Sequence, residues 1–197
     1  MVKIRFNPRM MLYLIAFLAF SLMAHAHILS GNGFPDGVLH PLSGIDHLLA
    51  MIAVGIVSVQ FGGKWAWKMP LTFVTCMIAG AVFGIVGIKF PYIEFAIALS
   101  VIFSGLAIIF HRKISASLVV AFIGLSAIFH GHAHGSEMSV IANPALYSAG
   151  FIFSTAILHA SGIVIGNYAA KTTFRRKLLR ISGAAIGVAG FMLLFGF

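Results

Sequence analysis

Two short stretches hold most of the nitrogen and oxygen donors of this chain. His40-Pro41-Leu42-Ser43-Gly44-Ile45-Asp46-His47 opens one apolar segment, and His130-Gly131-His132-Ala133-His134-Gly135-Ser136-Glu137 closes another. Ionisable side chains are costly near lipid and persist where they hold or pass an ion, so these clusters read as a route for a metal cation. His130 and His134 are spaced i, i+4, and Glu137 follows His134 at i+3. A helix through this stretch puts two imidazoles and a carboxylate on one face, a donor set suited to a divalent transition metal. Gly131 and Gly135 leave a bent or broken helix equally open. In a regular helix His132 points elsewhere and is the lesser candidate.

In the first stretch, His40 precedes a proline, which biases it to extended backbone and to capping a helix that starts at Pro41. His47 then returns to nearly the same face two turns later, with Asp46 on an adjoining face. Asp46 also has a plain structural reading, since a carboxylate near a helix N-terminus is favoured by the helix dipole. The same alternative applies to Glu94, in the first turn of a later segment. His159 is a deep histidine, 15 residues into its segment from Pro144. At that depth the ring faces the bundle interior, either as a hydrogen-bonded core residue or as a relay ligand.

The elements that must position these residues follow from composition. The chain is 60% hydrophobic and 9% charged, with a mean hydropathy of +1.05. A soluble domain carries about 25% charged residues. The fold class is therefore an all-α integral membrane protein, because only helices satisfy their own backbone amides in lipid. Six apolar segments, 41–61, 69–88, 91–110, 114–129, 144–166 and 181–197, predict a six-helix transmembrane bundle. Pro41, Pro91 and Pro144 fall in first turns, where the missing N–H costs nothing. Gly80/Gly84, Gly162/Gly166 and Gly183/Gly187 are small-xxx-small pairs that let helices approach.

Ahead of these, Lys3, Arg5 and Arg9 precede an apolar run at 10–23 and then Ala24-His25-Ala26. That is the pattern of a cleavable N-terminal signal peptide over 1–26, leaving 27–197 as a single transmembrane domain headed by His27, a further candidate donor. An uncleaved signal anchor is the alternative, and it leaves residue 27 on the same side.

The formal charge of +9 is a topology signal. Lys64, Lys68, Arg112, Lys113, Lys171, Arg175, Arg176, Lys177 and Arg180 fall in alternate loops, and the other loops hold only Lys89. This asymmetry predicts a multi-pass protein of the bacterial inner membrane, with the basic loops cytoplasmic and both the mature N-terminus and the donor clusters periplasmic. Arg175-Arg176-Lys177 reads as an anchor at anionic lipid. No basic helix or aromatic-interleaved groove points to nucleic acid. Cys76 stands alone, so neither a disulfide framework nor a thiolate site is indicated.

The two clusters, together with Thr155-Ala156-Ile157-Leu158-His159-Ala160-Ser161-Gly162, resemble the HupE/UreJ family of membrane proteins associated with nickel uptake for hydrogenase and urease. The resemblance implies a secondary permease for Ni²⁺, with His40, Asp46, His47, His134 and Glu137 matching the family's metal residues. Relatives are also linked to cobalt, and such donors bind several divalent ions in the Irving–Williams order. The ion is then cargo, with no resident cofactor and no Walker-type glycine loop for ATP. The expected partners are the divalent ion and the bilayer, with a homo-oligomer or a metallochaperone compatible with the pattern. Two other readings fit the same donors. One is an intramembrane zinc hydrolase with His47, His134 and His159 on the metal and a carboxylate activating water. The other is a non-transporting periplasmic sensor or chaperone subunit.

Overall fold

The computed structural model describes residues 33–137 and 143–196; the expected signal peptide and His27 lie outside them. The described chain is helical: α1 (Phe34–Ser43), α2 (Ile45–Phe61), α3 (Trp65–Ile85), α4 (Ile93–Phe110), a 3₁₀ turn (His111–Lys113), α5 (Ala116–Glu137), α6 (Pro144–Ala169) and α7 (Thr173–Leu194). Helices α3 to α7 are each long and apolar enough to cross a membrane. Helices α1 and α2 qualify only as a pair and meet at 86°, the geometry of a broken span or a re-entrant loop, which gives five to six spans among the described residues.

That break corrects the expectation of a straight helix capped by His40. Pro41 sits inside the last turns of α1, and His40 before it is helical. Gly44 then turns extended, at φ −89° and ψ 118°, and ends the α1 ladder. Helix α2 restarts at once, with the Leu48 amide donating to the Gly44 carbonyl at 2.9 Å. Two connected helices, rather than one face of one helix, therefore present His40 and His47. Pro144 opens α6 as expected, whereas Pro91 precedes α4, which begins at Ile93. The Gly131–Gly135 stretch does not break the helix, since α5 runs continuously to Glu137.

Glycines explain what α5 packs on. A Cβ placed at Gly80 would lie 2.1 Å from the Ile128 carbonyl oxygen, and one at Gly131 would lie 1.9 Å from that of Met77. Gly84 and Gly135 repeat the arrangement one turn along, against His132 and Ala81. Helices α3 and α5 thus touch backbone to backbone, which side chains larger than hydrogen would forbid. The same device joins α2 to α6 through Gly55 and Gly162, α1 to α6 through Gly37 and Gly150, and α4 to α7 through Gly105 and Gly183. Between these pairs Met51, Val54, Phe73, Val101 and Leu158 form a buried apolar core, while Leu71, Val82, Leu125, Phe153 and Val188 face outward, as lipid contact requires.

The connections after α2, α4 and α6 all fall at one end of the bundle and carry the basic residues. There Lys64 and Lys68 lie over the Trp65 ring, and the Arg175 guanidinium lies 4.0 Å from the centre of Tyr168. The start of α2, the end of α5 and the start of α6 fall at the opposite end.

Candidate metal site

At that opposite end three helices bring four imidazoles together. Helix α1 supplies His40, α2 supplies His47, and α5 supplies His130 and His134 one turn apart. Ring centres lie 4.5 Å apart for His47–His134, 4.6 Å for His40–His134 and 4.8 Å for His47–His130. Helix α6 closes the group with Tyr147 and Phe151, 5.8 Å and 6.2 Å from His40 and with Phe151 4.2 Å from His134. The sequence puts these donors at segment ends on the periplasmic side, but three of the rings are interior: His130 is 0% exposed, His134 2% and His47 9%. Neighbours from several helices cover the α5 rings: His47 of α2, Phe73 of α3, Ser100 of α4 and Phe151 of α6.

Hydrogen bonds fix which nitrogen of two rings is available. The Asp46 carboxylate has only lone pairs to offer, so His47 Nδ1–H donates to its Oδ1 at 2.7 Å, and the His47 backbone N–H donates to the same oxygen at 2.8 Å. His47 Nε2 is left with a lone pair. On α5 the logic runs through a residue of α4. The Ser100 hydroxyl donates to the Ile97 carbonyl at 2.7 Å, so its oxygen accepts from His130 Nε2–H at 2.9 Å. The lone pair of His130 is then on Nδ1. Metal-binding histidines are commonly held this way, with the second nitrogen donating to a carboxylate or another acceptor.

The available nitrogens have no protein partner. His47 Nε2, His130 Nδ1 and both ring nitrogens of His134 are buried without a hydrogen bond. Leaving one such group unmatched costs about 1–3 kcal/mol, so several in one cluster call for a ligand. Among the described residues, no three His, Cys, Asp or Glu side chains are arranged around a common ion position. The rings instead meet edge to face, at 86° for His40–His134 and for His47–His130. Holding an ion therefore requires imidazole rotation, and a cavity of about 200 Å³ lined by Met77, Gly131, His134 and Phe151 gives His134 room for it.

The remaining candidates separate clearly. His132 faces away from the cluster, as a regular helix requires; its Nε2–H donates to the Ile88 carbonyl and its ring stacks on Phe90 at 4.3 Å. It tethers the α3–α4 loop. Glu94 is exposed in the first turn of α4 and is not brought into the buried group. Glu137 ends α5, and its side chain lies outside the described residues. His159 is buried deeper in α6, where its ring neighbour is Phe73 at 5.2 Å. Sequence reasoning missed Ser100, Phe73, Tyr147 and Phe151. A serine inside an otherwise apolar span is a weak signal for Ser100, but nothing local marks the aromatic residues, whose role depends on which helices become neighbours.

Comparison with known proteins fits this arrangement. The family model described as HupE / UreJ protein matches residues 14–193. The chain belongs to the HupE/UreJ family. Among curated relatives of this family, Protein HupE of Rhizobium leguminosarum bv. viciae is 42% identical over 186 residues, covering 92% of this chain and 95% of that protein. No solved structure matches the chain. Family membership and the run of apolar helices together describe a multi-pass membrane protein.

Proposed function

We propose that the chain is a permease that takes up Ni²⁺, or the similar Co²⁺, from the periplasm across the bacterial inner membrane, supplying metal for hydrogenase or urease maturation. The observation that carries this reading is the set of unmatched nitrogens on the buried rings of His47, His130 and His134, with the half-buried His40 against them, at the end of the bundle opposite the basic loops. By the positive-inside asymmetry, that end faces the periplasm. Neutral imidazole nitrogen suits borderline divalent ions over Mg²⁺ or Ca²⁺, which prefer oxygen. Asp46 supplies negative charge beside His47 and orients its ring, while His40, His134 and Glu137 complete the family's donor set.

Passage demands binding that is favourable enough to enter and weak enough to leave. Rings that must rotate to meet an ion, instead of standing preformed around it, fit that demand better than the closed three-ligand geometry of a zinc hydrolase. The test is uptake into sealed vesicles containing this chain as their sole protein. The expected result is saturable accumulation of Ni²⁺ or Co²⁺ that disappears in a His47→Ala, His134→Ala double variant. Accumulation no greater than in protein-free vesicles would overturn the proposal.

A further inference from the structure

Below the four-imidazole group, α6 carries a second set of unmatched polar atoms that the first site does not use. Both ring nitrogens of His159 and the Thr155 hydroxyl oxygen are buried without hydrogen bonds, at 3% and 0% exposure. Residues 155 and 159 are one turn apart and share a helix face with Tyr147 and Phe151, which line the outer group. A helical threonine normally returns its hydroxyl to the carbonyl one turn back, so an unbonded one at full burial is unusual. With a rise of 1.5 Å per residue, His159 lies about 22 Å from the start of α6 and about 15 Å from its basic end, well beyond His134, which is about 5 Å from its own helix end.

One side chain lies against both sets. Phe73 of α3 is 1% exposed, its ring centre 5.8 Å from His130 and 5.2 Å from His159. An apolar ring at that position offers an ion no donor to replace its water. The lone pairs above and below it are where a cation can rest.

We infer that His159 and Thr155 form a second, inner resting site for the divalent cation, and that Phe73 is the barrier the ion crosses between the outer and inner sites. The inference rests on the uptake reading and adds a sequence of events to it. An inner site of neutral donors with no carboxylate holds the ion weakly, which favours release toward the basic, cytoplasmic end. Two separated sites also keep the path from being open at both ends while the ring blocks it.

The test uses the full chain, with Co²⁺ as the probe in both binding and vesicle uptake. His159→Leu keeps an apolar side chain of similar bulk but removes both nitrogens. Its expected signature is Co²⁺ binding at the outer group with unchanged affinity, showing an intact fold, and uptake at saturating Co²⁺ slowed by about tenfold, a factor equivalent to ~1.4 kcal/mol on the barrier. His159→Gln, which returns a neutral donor of similar reach, should recover part of the rate. Phe73→Leu, which shortens the barrier, should raise the saturated rate without changing binding. Normal uptake in His159→Leu with binding intact would overturn the inner site while leaving the permease reading standing. Failure of the wild-type chain to take up metal would instead remove both. If His159→Leu loses Co²⁺ binding, His159→Gln decides: restored binding with recovered uptake supports the inner site, and binding that stays lost makes His159 part of the packing that holds the outer group.

Discussion

Asp46→Asn and Asp46→Ala together separate two roles for this carboxylate, and the structure sets the order of their effects. Oδ1 of Asp46 accepts two hydrogen bonds, from the His47 ring and from the His47 backbone amide. Asparagine keeps an acceptor oxygen in place, so both bonds survive as neutral ones. Hydrogen bonds to charged groups are worth about 1.5–3 kcal/mol and neutral ones about 1, so the loss is ~1 kcal/mol or about fivefold in metal affinity. Alanine removes the acceptor and frees the ring to turn and to change tautomer, a loss of the outer support that costs about 10- to 100-fold. His47→Ala, which removes the nitrogen itself, should cost more than either. The assay is Co²⁺ titration of the purified protein, followed by its visible absorption, with initial uptake rates alongside. If Asp46 binds the ion directly through its charge, Asn and Ala should be nearly equal, and that equality would refute the positioning argument.

Other consequences follow from the same contacts. Gly131→Ala should destabilise the protein by about 1–3 kcal/mol despite the better helix propensity of alanine, because the new methyl would overlap the Met77 carbonyl; a thermal melt in detergent reads this. Gly187→Ala should be neutral or stabilising by up to about 1 kcal/mol in the same melt, since the nearest atom to its Cβ position is 4.0 Å away. His132→Ala should lower the melting temperature yet leave Co²⁺ affinity unchanged, because that ring is occupied with Ile88 and Phe90. Reporter fusions after Arg176 should score as cytoplasmic and those after Ser139 as periplasmic; the reverse would turn the proposed importer into an exporter.

The helical membrane class was legible because lipid allows few alternatives: apolar runs of span length must be helices. The gathering of His47, His130 and His134 was legible from i, i+4 spacing and from the charge asymmetry that puts both clusters at one end. The break at Gly44 was not. Pro41 favours a helix start over a position inside a helix, and only the tertiary packing of α1 on α6 overrides that preference. Gly131 and Gly135 looked like breakers because glycine is unfavourable inside an isolated helix, whereas here the close approach of α3 outweighs that cost. Packing from α2, α3, α4 and α6 also buries His130 and His134, which the sequence puts at a segment end. Ser100 and Phe73 acquire meaning only once α4 and α3 lie beside α5, a relation that no local pattern encodes.

The central claim, that imidazoles from α1, α2 and α5 receive the transported ion, is most directly tested by X-ray absorption at the nickel edge on the loaded, purified protein. The account predicts nitrogen and oxygen scatterers with the outer-shell signature of several imidazoles and no sulfur, and a reduced imidazole signal in His134→Ala. An oxygen-only environment, or a spectrum unchanged by the loss of both His47 and His134, would contradict it.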